Sequence, residues 1–214
     1  MEKEEKELNN LYKKIRKTIE EQFENFYKII KTKDERKIFT ELCFCLLTPQ
    51  SNAHLCWNAI ENLIKYDLLF SGSELDILKR LEKIRFKNNK AKYIILARKF
   101  LIDEKNIYKI INYQFDKINE LREWLIKNIK GLGYKEASHF LRNIGLGDNF
   151  AILDRHILRN LVIFKLIENI PKTLTKNKYL EIEEKMKKFA KKINIPLAHL
   201  DMVFWYKSKN EIFK

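Results

Sequence analysis

The sequence predicts an all-α fold whose helices are joined by short connections. Only 5 of the 214 residues are Gly and 3 are Pro, so residues that break helices are scarce. Long stretches carry apolar residues at helical spacing, and none shows the regular apolar-polar alternation of a half-buried strand. Hydrophobic residues make up 45% and charged residues 34% of the chain, a balance that supports a packed core and excludes a disordered protein.

The first helix is predicted over about 3–29, because apolar residues recur along one face of a segment rich in Glu and Lys. Its inward-facing residues are Leu8, Leu11, Ile15 and Phe23. Asp34 can cap a second helix that ends at Leu47. The run 42–47 within it is apolar on every side, which places this helix at the centre of the fold.

Further helices are predicted from the same spacing, with Ser71 or Ser73 as the cap of the second of them. They span about 53–66, 74–83, 89–103, 116–129, 134–144, 155–168, 176–193 and 197–207, which makes about ten helices in all. Cys43, Cys45 and Cys56 lie in apolar surroundings and are expected to be buried thiols in a reducing compartment rather than metal ligands.

The charge of the chain predicts an acidic partner. Lys and Arg number 43 against 29 Asp and Glu, a net charge of +14. Residues 79–109 alone hold eleven Lys or Arg against three acidic residues. Such a surface favours nucleic acid over an anionic membrane, although a solvated helix face would have the same composition. No apolar run reaches the roughly 18 residues of a membrane span, and the charged amino terminus does not resemble a signal peptide, so we expect the protein in the cell interior.

Four of the five glycines fall between 131 and 147, with helical spacing on both sides. This pattern predicts a helix-hairpin-helix over about 116–145. Gly131 and Gly133 let the backbone approach a ligand, and the free N–H groups at the start of the second helix attract an anion such as a DNA phosphate. A purely structural hairpin would show the same glycines.

Lys135 lies in the first turn of the second hairpin helix, where positive potential disfavours a cation. A neutral amine is a nucleophile, although a surface charge is the common role of a lysine. Asp154 follows an apolar triplet and precedes a helical pattern, so it can cap that helix and, while ionised, stabilise a developing cation. Arg155 and His156 either contact phosphate or only begin the helix.

Three segments then relate the chain to known proteins. They are KGLGYKEAS at 130–138, ILDRH at 152–156 and LLTPQS at 46–51. Together they resemble the helix-hairpin-helix, Gly/Pro-rich loop, Asp superfamily of DNA base-excision glycosylases. Within it, GYKEASHFLRN at 133–143, LDMVFWY at 200–206 and the terminal Lys214 look most like the archaeal-type family of 8-oxoguanine DNA glycosylase/AP lyases. The loop at 145–148 departs from the superfamily pattern because it has no proline.

The resemblance implies two helical subdomains with the active-site cleft between them. One would span 34–147 and include the hairpin, and the other would combine 1–33 with 148–214. It also implies a bifunctional repair enzyme that excises 8-oxoguanine from double-stranded DNA and nicks the strand by β-elimination. Lys135 would attack the sugar, Asp154 would stabilise the sugar cation, and Gln50 would fill the gap left by the extruded base.

For the base pocket, the resemblance implies Phe86 and Trp205 as stacking residues, and Asp201 and the carboxyl end of Lys214 as contacts of the base edge. Core packing is the alternative for the two aromatic residues. A helix charge partner is the alternative for Asp201, and a frayed tail for Lys214. No cysteine follows Cys56, so we expect no iron–sulfur cluster.

No organic cofactor is expected, and superfamily hairpins allow a monovalent cation at the backbone of 130–133. We expect a monomer of prokaryotic type, cytoplasmic and associated with the nucleoid. Three alternatives remain open at this point. They are a glycosylase of the same scaffold for another damaged base, a noncatalytic helix-hairpin-helix DNA-binding module, and a helical scaffold for acidic proteins.

Overall fold

A computed structural model of the chain describes residues 2–113 and 117–214. Over these residues the chain forms twelve α-helices and one π-helical segment, Lys99–Glu104, and contains no strand, so the all-α prediction is confirmed. The α-helices are α1 Glu2–Lys31, α2 Glu35–Leu47, α3 Ala53–Lys65, α4 Leu68–Ser71, α5 Glu74–Arg80, α6 Lys87–Arg98, α7 Ile107–Tyr113, α8 Ile118–Asn128, α9 Tyr134–Asn143, α10 Arg155–Ile163, α11 Lys176–Lys192 and α12 Leu197–Lys209.

Several predicted boundaries were wrong. The predicted helix 89–103 is α6 followed by the π-helical segment, and the predicted helix 155–168 ends five residues earlier, where Lys165 turns left-handed with φ 55°. The helix α4 was missed because four residues are too short to show a helical period, and α7 was also missed, although α5, which is likewise seven residues long, was predicted together with its serine cap. Residue 116, where one predicted helix and the predicted hairpin begin, lies outside the described residues.

The predicted caps are present because a short polar side chain can reach the free N–H groups of the next turn. Asp34 accepts hydrogen bonds from the N–H groups of Arg36 and Lys37 at 2.9 and 3.2 Å. Of the two serines proposed for α5, Ser73 is the cap, and it forms a reciprocal capping box with Asp76.

The buried apolar side chains form two clusters. One runs from Ile38 to Phe150 and the other joins α1 to the chain from Ala151 to Phe204. Helix α2 lies in the first cluster, and every residue of the run 42–47 is buried, as its apolar pattern predicted; the burial extends back to residue 38 and includes the polar Thr40 and Glu41. The three cysteines are buried free thiols, and burial raises the pKa of each. The subdomain boundaries at 33/34 and 147/148 stay a prediction.

Two buried ion pairs join helices of the first cluster to helices of the second. Arg122 on α8 binds Glu183 on α11 through two hydrogen bonds of 2.8 and 3.0 Å, and Arg142 on α9 binds Asp201 on α12 at 2.8 Å. Helix α1 also packs against both α9 and α12. No helix in the described part of the chain is long and apolar enough to cross a membrane.

Candidate active site

A cleft of about 980 Å³ opens where the end of α2, the starts of α9 and α10, the helix α12 and the carboxyl terminus meet. Its walls therefore come from both apolar clusters. Eight of the eleven residues that the sequence singled out line this cleft. They are Gln50, Lys135, Asp154, Arg155, His156, Asp201, Trp205 and Lys214.

Lys135 projects from the first turn of α9 and is 21% exposed. Its amine donates a hydrogen bond to Thr48 Oγ1 at 3.2 Å and lies 3.2 Å from Glu136 Oε1. Thr48 is the residue at which α2 ends, and its hydroxyl also donates to the Cys45 carbonyl. The amine is thus oriented by the carboxyl end of one helix while it is carried by the amino end of another.

Asp154 caps α10, as its position predicted. Its Oδ1 accepts hydrogen bonds from the N–H groups of His156 and Ile157 at 2.7 and 2.8 Å. Within 2–113 and 117–214 no hydrogen bond involves its Oδ2. The cleft therefore brings together an amine and a partly exposed carboxylate from positions nineteen residues apart.

Asp201 is a buried acid at the same cleft, 5% exposed. Its Oδ2 accepts from Arg142 at 2.8 Å, whereas its Oδ1 has no partner in the described part of the structure. Burial raises the pKa of Asp201 to about 7, because desolvation outweighs the attraction of Arg142 and the negative charge of Asp154 adds to it. A carboxyl group of this kind can hold or release a proton near neutral pH.

The carboxyl-terminal tail returns from α12 to α2 and α3. The Lys214 ammonium pairs with the buried Glu41 and lies 3.6 Å from the centre of the Trp57 ring. The ring of Phe213 lies 4.1 Å from that of His54. These contacts hold the end of the chain at the cleft, so Lys214 is anchored rather than frayed.

The structure does not bring Phe86 to the cleft. It is 54% exposed and left-handed with φ 58°, and it does not line the cleft with Trp205. Trp205 packs edge to face against His156, with the ring centres 5.3 Å apart. Gln50 is exposed and also left-handed, with φ 54°. The stacking role of Phe86 stays a prediction, and in this structure the Phe86 side chain lies on the outer surface.

The hairpin turn has the geometry that glycine allows. Gly131 has φ 96°, and a Cβ there would lie 2.4 Å from the Tyr93 ring, so any other residue would be strained and would displace that ring. The N–H of Gly133 is already bonded to Glu136 Oε2 at 3.1 Å. Glu136 therefore contacts both the hairpin turn and the Lys135 amine, a link that the sequence analysis did not anticipate.

Two further residues at this site were missed. Lys90 was counted with the basic surface of 79–109, but it is only 3% exposed and its ammonium binds the chain after α2, which corrects that assignment. His139 lies one helical turn beyond Lys135, and neither ring nitrogen has a partner among the described residues. Burial, together with the charges of Arg142 and Lys135, lowers the pKa of His139, so its ring is neutral. His139 belongs to the GYKEASHFLRN motif at 133–143, and this position was the sequence signal that could have identified it.

No group of three or more potential metal ligands occurs within the described ranges. The polar groups of the cleft are an amine, carboxyl groups, a guanidinium and imidazoles. This set suits nucleophilic and acid–base chemistry on a substrate that carries phosphate.

Comparison with known proteins agrees with this geometry. The profile of a family described as 8-oxoguanine DNA glycosylase matches residues 19–195. An 8-oxoguanine DNA glycosylase/AP lyase of Fusobacterium nucleatum is 46% identical over 97% of this chain and 96% of its own. The protein of that name from Methanocaldococcus jannaschii is 40% identical over 94% of this chain and 93% of its own.

Solved structures give the same result. The crystal structure of the Methanocaldococcus jannaschii 8-oxoguanine glycosylase/lyase in complex with a 15mer DNA containing 8-oxoguanine has a TM-score of 0.89 at 38% identity, over 98% of this chain and 99% of that one. The 8-oxoguanine DNA glycosylase of Thermotoga maritima also has a TM-score of 0.89, at 31% identity and with all of both chains covered. The chain belongs to the 8-oxoguanine DNA glycosylase family.

Proposed function

We propose that this protein excises 8-oxoguanine from double-stranded DNA and then nicks the strand by β-elimination. The observation that carries the proposal is that Lys135 and Asp154 line one cleft, in a chain whose relatives bear the name of that activity. The net charge of +14 suits a polyanionic substrate. All the groups needed come from one chain, so we propose that it acts as a monomer.

The reaction begins when the neutral amine of Lys135 attacks C1′ of the extruded nucleotide. The bond from C1′ to N9 breaks, and its electron pair leaves with the base, which takes up the proton that the attacking nitrogen releases. Asp154, kept in place by two N–H groups of α10, stabilises the positive charge that develops on the sugar. The C1′–O4′ bond then breaks and O4′ takes up the proton that the attached nitrogen loses, which yields an imine between Lys135 and C1′.

The imine makes the hydrogens on C2′ acidic. Loss of one as a proton sends its electrons into a new double bond between C2′ and C3′, and the 3′ phosphate departs with the electron pair of the C3′–O bond. Hydrolysis of the imine returns the Lys135 amine. The strand is then cut on the 3′ side of the lesion.

The remaining residues have proposed roles in binding. Gln50 fills the space of the extruded base, while the hairpin glycines Gly131 and Gly133 and the residues Arg155 and His156 contact the DNA backbone. Trp205 stacks on the base, and Phe86, which lies outside the cleft in this structure, joins it only if the turn before α6 moves when DNA binds. Asp201 and the terminal carboxylate of Lys214 accept from the edge of the base, where 8-oxoguanine carries an N7 hydrogen that guanine lacks. We propose no organic cofactor or iron–sulfur cluster, a monovalent cation at the backbone of 130–133, and action at the cytoplasmic nucleoid.

Replacement of Lys135 tests the mechanism. Lys135→Gln should lower both excision and nicking by several orders of magnitude, because the bond-forming amine is gone, while binding to duplex DNA persists. Borohydride should cross-link the wild-type protein to a duplex containing 8-oxoguanine but not the variant. Lys127→Gln, an exposed change on α8, is the matched control.

Three results would contradict the proposal. Nicking by purified Lys135→Gln would refute the assigned nucleophile. Faster excision of another lesion from a panel of damaged duplexes would indicate a glycosylase for a different base. Binding of DNA without any cleavage or cross-link by the wild-type protein would indicate a noncatalytic binding module.

A further inference from the structure

Lys90 is a buried cation bound to the segment that follows α2. It lies in the first turn of α6, and its ammonium donates to the carbonyl oxygens of Leu47 and Pro49, both at 2.7 Å, and to Ser51 Oγ at 3.0 Å. Three bonds use all the hydrogens of an ammonium group. Within the described residues no carboxylate lies at salt-bridge distance from it, so its partners are all in the segment 47–51.

This segment carries two residues of the proposed mechanism. Thr48 accepts the hydrogen bond from the Lys135 amine, and Gln50 is the residue proposed to enter the DNA. Gln50 has φ 54°, a left-handed conformation that costs an ordinary residue energy and persists only where neighbouring contacts fix it. Lys90 bonds to the residues on both sides of Gln50, Pro49 and Ser51, and so supplies those contacts.

Two further hydrogen bonds connect this segment and Lys90 to the turn before α6. Ser51 Oγ also accepts from the N–H of Arg85 at 3.2 Å, and the N–H of Lys90 donates to the Phe86 carbonyl at 3.1 Å. Phe86 is itself left-handed and exposed. Two exposed left-handed residues, Gln50 and Phe86, therefore lie in turns that are joined by hydrogen bonds, and Lys90 bonds to the first turn through its ammonium and to the second through its N–H.

The ammonium form is needed for this role. The carbonyl at the end of α2 lies at the negative end of that helix, which attracts a cation, and a neutral amine has only two hydrogens for three acceptors. Burial lowers the pKa of Lys90 to about 8, with Arg85 and Lys135 lowering it further and Cys56 and Glu136 opposing them. At neutral pH the group therefore still carries the proton that completes the three bonds.

We infer that Lys90 is a positioning residue for base excision, which holds the segment 47–51 so that Thr48 orients the Lys135 amine and Gln50 faces the DNA. This inference rests on the proposed function and adds to it a residue that contacts neither substrate nor the reacting atoms. It acts through the geometry of other side chains. Its loss should therefore slow the chemical step more than it weakens DNA binding.

The test measures single-turnover excision of 8-oxoguanine at saturating enzyme, together with the Kd for the duplex. Lys90→Met keeps a long unbranched side chain, one atom shorter than lysine, and removes the charge. We expect a rate loss of about 10²-fold, the cost of misplacing a reacting group by about 1 Å, with Kd changed by less than about threefold. Lys17→Met, an exposed change on α1, should leave both unchanged.

A double-mutant cycle separates positioning from general destabilisation. If Lys90 acts through the segment 47–51, the fold-loss of rate in the double variant should be smaller than the product of the fold-losses in Lys90→Met and Gln50→Ala alone. If Lys90→Met does not fold, Ser51→Ala replaces it, removing one acceptor of the ammonium without creating a large cavity, and should slow excision by about tenfold.

The inference is overturned if Lys90→Met, or Ser51→Ala where that variant is used, excises 8-oxoguanine at the wild-type rate. It is also overturned if the fold-loss of rate in the double variant equals the product of the two single losses. An active wild-type protein in these assays keeps the proposed function intact whatever Lys90→Met does. An inactive wild-type protein would refute both the proposed function and the role of Lys90.

Discussion

Glu183→Gln should destabilise the protein strongly, because it removes one partner of a buried ion pair. Arg122 and Glu183 are 3% and 2% exposed, and two parallel hydrogen bonds join them. Glutamine keeps the volume and, with its oxygen in place of Oε1, the acceptor of the Ala151 N–H at 2.9 Å, so the change removes the charge and the hydrogen bond that Oε2 accepts from Arg122. Loss of one charge of a buried pair costs about 3–5 kcal/mol, since the other charge stays desolvated.

Equilibrium unfolding in urea measures this cost, provided that the slope of the free energy against urea is the same for both proteins. For a chain of this size we also expect the midpoint of thermal unfolding to fall by roughly 6–20 °C. Glu184→Gln, the neighbouring exposed glutamate on α11, should change the unfolding free energy by less than about 0.5 kcal/mol. A loss below about 1 kcal/mol in Glu183→Gln would refute the argument that this pair is a desolvated contact between the two clusters.

Gly131→Ala should lower the unfolding free energy by about 2–4 kcal/mol through left-handed strain and contact with Tyr93. Gly133→Ala, with no positive φ, should cost less in the same urea titration; equal losses would contradict this. The raised pKa of Asp201 means that between about pH 4 and 7 the folded protein keeps a proton that the unfolded chain has released. The unfolding free energy should therefore fall as pH rises through this window, and less so in Asp201→Asn; parallel curves for both proteins would exclude this.

Features that depend on a few neighbouring residues were predictable. The caps at Asp34 and Asp154 need only a short polar side chain before an apolar-periodic run, and both side chains accept the expected N–H bonds. The burial of 42–47 in α2 followed from a run that is apolar on all sides. The glycines of the hairpin marked a turn, and Gly131 has the positive φ that such a turn uses.

The burial and the partners of side chains that contact residues far away in the sequence were not predictable from the sequence. Lys90 looks like its ten basic neighbours in 79–109, and nothing local shows that three acceptors about forty residues earlier enclose it. The partner of the Lys214 side chain lies 173 residues away on α2. Phe86 shows the opposite case, in which an aromatic side chain expected in the pocket lies exposed at a left-handed turn.

By itself the sequence determined that the protein is helical and basic, and that Lys135 and Asp154 are its candidate reactive pair. Only the tertiary structure decided which charged side chains are withdrawn from water, among them Glu41, Lys90, Arg122, Arg142, Glu183 and Asp201, and which groups satisfy them. The physical reason is that helix formation and capping act over about four residues, whereas the desolvation of a charge depends on every element that packs around it.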